Sequence, residues 1–134
     1  MTLRKLGKGE SDVAVVRARE YWNRTGIEVG YLEAYAFEAN GSWDDWGRTT
    51  DADGGAGSFL QDLLVAGKRC RKAQWFQLAG SVGASDERSF ALGAHARWTN
   101  CSPQTGELLL FANDAPGFYW NNSGEIRVRI TRIG

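Results

Sequence analysis

Glu107-Leu-Leu-Leu-Phe-Ala-Asn-Asp-Ala-Pro-Gly-Phe-Tyr-Trp-Asn-Asn-Ser-Gly-Glu-Ile-Arg-Val-Arg-Ile-Thr-Arg132 decides the fold class. From Glu125 to Arg132 the chain alternates strictly: Ile126, Val128 and Ile130 share one side, Arg127, Arg129 and Thr131 the other. A period of two is that of a strand with one face buried and one wet. Glu107 to Ala112 is a short continuous apolar run, the pattern of a central strand covered on both faces. Between the two lie Asn, Asp, Pro and Gly, the residues that turn a chain.

Working outward, Ile27 to Ala39, with Tyr31, Tyr35 and Phe37, reads as one further strand, and Val13 to Ala18 and Gln74 to Ala79 as two more. A single helix is expected at Gly57–Gly67, with Ser58 as its N-cap, Leu60, Leu63 and Leu64 on one face, and Gly67 as its stop. Short strands separated by turn signals make an all-β chain, an antiparallel β-sandwich or jelly roll with at most one short helix. The 134 residues show no repeat, low-complexity tract or linker, so residues 1–134 are expected to form one domain.

Sixteen Lys and Arg balance sixteen Asp and Glu, which removes the basic footprint of a nucleic-acid binder. No apolar run approaches the roughly 18 residues of a membrane-spanning helix. Behind the basic N-terminus there is no apolar segment of the kind a secretory signal needs, so the expected location is the cytoplasm, or outside by a route other than a Sec signal peptide.

Catalytic candidates are thin, and no catalytic residue is assigned. His95 is the sole histidine and sits in an alternating stretch, Ala94 to Trp98. Nucleophile-elbow, phosphate-loop and zinc-helix motifs are missing from the sequence. Asp44-Asp45 and Asp86-Glu87 are neighbours that point apart in extended chain. Cys70 and Cys101 have no metal-like spacing and are expected as reduced thiols. Cys70 lies in Lys68-Arg-Cys-Arg-Lys72, where cations favour a thiolate, or where the run is simply a solvated basic turn.

The loop Asn113–Gly124 is the densest collection of hard oxygen donors. A bend at Pro116-Gly117 folds Asp114 back toward Asn121 and Asn122, and calcium takes 6–8 such oxygens. The same residue types also serve any long hairpin without a metal. Asp51 and Asp53 likewise either line a ligand cleft or make a turn.

Asn113-Asp-Ala-Pro-Gly-Phe-Tyr-Trp-Asn-Asn-Ser-Gly124, flanked by its two strands, resembles the signature of the LecA-like calcium-dependent, galactose-binding bacterial lectins, Asn-Asp-x-Pro-Gly-x-x-x-Asn-Asn-Ser-Gly. Asn40-Gly-Ser-Trp-Asp-Asp-Trp-Gly47 is similar to that family's facing loop. The resemblance implies a galactose-binding-like jelly roll holding one Ca2+, through which sugar hydroxyls are bound. Asp114, Asn121 and Asn122 would then give side-chain oxygens, while Phe118 and Asn40 would give backbone carbonyls. Asp114 and Asn121 would also hydrogen-bond the carbohydrate, with Trp120, Trp43 and Trp46 as stacking faces and Asp51 and Asp53 beside the cleft. Related lectins are multimeric, so a homo-oligomer is a further expectation. Phe118 and Trp120 replace the family's threonine and glycine, and its histidine and glutamine sugar contacts have no counterpart near Thr49–Asp53. These departures leave open an alternative, a jelly-roll interaction module that keeps the loop and binds no sugar.

Overall fold

The structure, a computed structural model, describes residues 2–56 and 67–134. Among the described residues, ten strands build two antiparallel sheets: β1 (Ser11–Arg17), β2 (Asn23–Val29), β3 (Ala34–Asp45), β4 (Arg48–Thr50), β5 (Asp53–Gly55), β6 (Trp75–Val82), β7 (Phe90–Ala91), β8 (His95–Thr99), β9 (Gly106–Ala112) and β10 (Asn122–Arg132). One sheet runs β1-β10-β3-β4, with β8 also on β3; the other runs β2-β9-β6-β5, with β7 on β6. The helix expected at Gly57–Gly67 falls outside the described residues apart from Gly67.

The alternation in β10 is realised as read. Ile126, Val128 and Ile130 are buried, and Val16 and Ala14 of β1 stand opposite Ile126 and Val128 on the same face. Across β3, Phe37 and Ala39 stand opposite Ile130 and Val128. Against this layer pack Leu108 and Leu110 of β9 and Leu78 of β6. Each such side chain contributes about 1.5–3 kcal/mol by leaving water. The other face of β9 is covered as well: Phe111 and Ala79 lie under Cys70, Ala73 and Trp22.

Ile27–Ala39 is a correction: it is two strands in different sheets. Residues 30–33 make the crossing, with Leu32 at φ 64 and the Glu33 carboxylate accepting the Gly30 N–H at 2.7 Å. Apolar spacing runs on across the turn because both strands face the same core, so periodicity alone hides the break.

Cys70 corrects a second expectation. It is buried against the outer face of the second sheet, neither in a solvated turn nor open to reagents, whereas Cys101 is exposed; both are free thiols. The cause is Asn113. Its Oδ1 accepts the Cys70 N–H at 2.9 Å, and its Nδ2 donates to the carbonyls of Cys70, Ala73 and Gln74. One side chain therefore straps a whole segment onto the sheet.

Candidate cation site at the loop end

The ends of β9 and β10, the β3–β4 hairpin and the β1–β2 connection meet at one end of the sandwich. There the chain leaves β9 through a turn in which Pro116 and Gly117 hold the central positions; the Phe118 N–H returns to the Ala115 carbonyl at 3.2 Å. Gly117 has φ 88, the left-handed value a type II turn needs after proline. A 3-10 turn, Tyr119–Asn121, then delivers the chain to Asn122, the first residue of β10. Gly124 closes the motif for a steric reason: at φ 87, an added Cβ would lie 2.9 Å from the Trp43 Cα.

Asp114 is 3% exposed and Asn122 is 2% exposed. The Asn122 Nδ2 donates to Asp114 Oδ2 and to the Ala18 carbonyl, both at 3.1 Å, while Asp114 Oδ1 accepts the Ala115 N–H at 2.8 Å. Burial pushes the Asp114 carboxyl up to about 6 against the pull of these hydrogen bonds, and the charge of Asp45 pushes the same way. The carbonyl oxygens of both carboxamides, Asn121 Oδ1 and Asn122 Oδ1, are buried without a hydrogen-bond partner. Two orphaned acceptors beside a buried carboxylate cost roughly 1–3 kcal/mol each. A hard cation removes that cost, because it is coordinated by carboxylate and carboxamide oxygens alike. Among the described residues no three His, Cys, Asp or Glu side chains cluster as a metal group, so the donor set is rich in amides and poor in charge.

Asp114 and Asn122 are joined by a hydrogen bond, and Asn121, the residue before Asn122, has its own buried Oδ1 without a partner. Phe118 is the residue that precedes the 3-10 turn Tyr119–Asn121. Asn40 does not join them: it stands opposite Arg127, five register steps from the Asp45–Asn122 pair, about 16 Å along the strand at the usual rise. Asp45 takes the facing position instead. It lies within the Asn40–Gly47 motif without having been singled out there, and the pairing of β3 with β10 is what places it opposite Asn122.

Trp43 is a correction too. It is 1% exposed, its Nε1 donates to the Phe76 carbonyl at 3.0 Å, and its ring meets Phe76 edge-on. Parity along β3 could have found this, since Trp43 shares odd numbering with the inward Tyr35 and Phe37. Trp46, past the strand end, is 79% exposed and lies 6.2 Å, centroid to centroid, from the 62%-exposed Trp120. The Trp46 N–H donates to the Asn121 carbonyl at 3.2 Å, which ties this aromatic pair to the loop carrying the carboxamides. Asp51 and Asp53 turn the chain: Asp51 Oδ1 accepts the Asp53 N–H, and Asp53 Oδ1 accepts the Ala94 N–H. A shallow cleft opens beside Asp45, Arg48 and Thr50. His95 lies exposed on β8, opposite Glu38.

Residues 23–133 match the PA-IL-like protein family. The chain belongs to this LecA-like lectin family. Among solved structures it is similar to a chain described as the EclA N-terminal domain, a PllA-like lectin, at 22% identity and a TM-score of 0.62, over 91% of this chain and 94% of that one. That likeness speaks to the shared sandwich. No curated protein matches the chain significantly.

Proposed function

We propose that this member of the PA-IL-like family is a calcium-dependent carbohydrate-binding lectin, its ion held by the side chains of Asp114, Asn121 and Asn122 and by the Phe118 carbonyl. The observation that carries the reading is the pair of buried, unpartnered carboxamide oxygens beside a buried carboxylate. Calcium, when bound, offers open coordination positions to two neighbouring hydroxyls of a sugar. The chain's own residues do the rest: Asp114 and Asn121 accept hydrogen bonds from those hydroxyls, and Trp120, with Trp46 beside it, presents ring faces to the sugar's C–H side. Several copies in one oligomer would raise the avidity of such a weak single site.

Thermal melting with calcium and with chelator tests this. Free calcium a hundredfold above its dissociation constant should stabilise the fold by about 2.7 kcal/mol. Superimposable melting curves would sink the cation, and a glycan array silent in saturating calcium would sink the sugar. The exposed Trp46, Phe118 and Trp120 favour a second reading, an interaction module without sugar binding. A silent array together with self-association that Trp120→Ala abolishes would select it.

A further inference from the structure

Arg69 was invisible as a functional residue in the sequence, yet its side chain has no exposed surface. Its guanidinium carbon lies 3.6 Å from the centroid of the Tyr21 ring, 3.7 Å from Phe111, 4.3 Å from Trp22 and 5.3 Å from Tyr119. Nε pairs with Asp86 Oδ1 at 2.9 Å, and Nη1 donates to the Tyr21 carbonyl at 2.6 Å and to the Tyr119 hydroxyl at 2.8 Å, while Nη2 is buried without a partner. Burying a guanidinium in this way is costly, and an apolar side chain would fill the same space without that cost. What an apolar side chain lacks is the planar fork, which here fixes three separate chain segments to one point.

Two of the contacts of Arg69 reach the loop described above. Its backbone N–H donates to the Asp114 carbonyl at 3.2 Å. The Tyr119 hydroxyl that accepts from Nη1 in turn donates a hydrogen bond to the Ala112 carbonyl at 2.6 Å. Residues 112, 114 and 119 are therefore all referred to Arg69. Since Tyr119 opens the 3-10 turn, fixing it fixes the direction in which Asn121 and Asn122 leave. We propose that Arg69 is the positioning residue of the cation site, holding the 112–122 loop in the shape that gathers Asp114, Asn121 and Asn122. The inference rests on reading those three as cation ligands. A positive charge near a cation opposes binding; Asp86 pairs with Arg69 at 2.9 Å and offsets part of that charge, so geometry and charge pull affinity in opposite directions and the variants report which dominates.

The test uses Arg69→Lys, Arg69→Met and Tyr119→Phe, the last removing only the hydroxyl between Arg69 and Ala112. Calcium affinity is measured by calorimetry well below each variant's melting temperature, and amide exchange over 112–122 is measured without metal. Arg69→Lys and Arg69→Met should weaken calcium about tenfold or more, as losing an orienting partner does, and Tyr119→Phe should weaken it in the same direction. Exchange should quicken in that loop more than in β9 or β10. If Arg69→Met does not fold, the other two variants decide. Folded variants with wild-type affinity overturn the proposal, and so does tighter binding by Arg69→Met, which would mean that charge outweighs geometry. A wild-type chain that takes no calcium would bring down the cation reading itself; the metal-free exchange data would still report separately whether Arg69 holds the loop.

Discussion

Asp114 is held under conflicting demands. Without a cation its charge is opposed by burial, so the metal-free fold holds the ionised carboxylate less favourably than water would. Asp114→Asn drops the charge and one of the two oxygens that accept the Ala115 and Asn122 N–H groups. It should abolish the calcium-dependent rise in melting temperature; a rise that persisted would place the ion elsewhere. Glu33 shows the opposite balance. Burial alone would lift it, but hydrogen bonds from the Gly30 N–H, Lys5 and Tyr35 bring it down from 4.5 to about 2. A depressed carboxyl stabilises the fold fully above its unfolded value and loses that contribution as pH falls through its folded one. Wild type should therefore shed on the order of 2–3 kcal/mol between pH 4.5 and 2 that Glu33→Gln does not shed. Parallel acid-unfolding curves for the two proteins would refute it.

At the level of elements, the loop between β9 and β10 is fixed from both ends. Asn113 straps residues 70–74, and Gly124 lets β10 cross β3 at Trp43. Asn113→Ala leaves buried backbone groups of Cys70, Ala73 and Gln74 without partners, so that segment should lift and Cys70 become accessible. A thiol reagent should then titrate two cysteines quickly where wild type offers only Cys101; a single fast thiol in the variant would show that hydrophobic packing on Phe111 suffices. Gly124→Ala meets both an unfavourable backbone angle and the Trp43 Cα, and should cost roughly 1–3 kcal/mol in chemical denaturation. Loop composition and the strict alternation of β10 were legible in advance because both are local properties. The identity of the facing residue was not: a motif aligned by its Trp-Gly ending put Asn40 there, whereas strand pairing puts Asp45 opposite Asn122. Register is a relation between two segments, and neither segment carries it alone.

For the whole molecule, the two sheets share one apolar interior, so deleting a buried side chain anywhere in it weakens the whole. Leu110→Ala, at the centre of β9, should cost about 2–5 kcal/mol by urea unfolding with little change in slope; a cost under half a kcal/mol would mean that the interior closes over the gap. The second sheet has an additional outer layer, built from Arg69, Tyr21, Trp22 and Tyr119, that no periodicity announced. Lys68–Lys72 reads as a surface run of charge, and it became half interior because Asn113 straps Cys70 down and aromatic rings from distant segments, with Asp86, surround Arg69.

The sequence by itself determined the strand character, the antiparallel sandwich and the chemical inventory of the loop, because alternation, turn residues and donor types act over a few neighbouring positions. Only the tertiary structure decided that Trp46 and Trp120 come side by side, that Asp45 rather than Asn40 stands across from Asn122, and that a buried arginine contacts the loop. Those outcomes depend on strand register and on desolvation by residues far away in the chain, and both exist only once the two sheets have closed on one another.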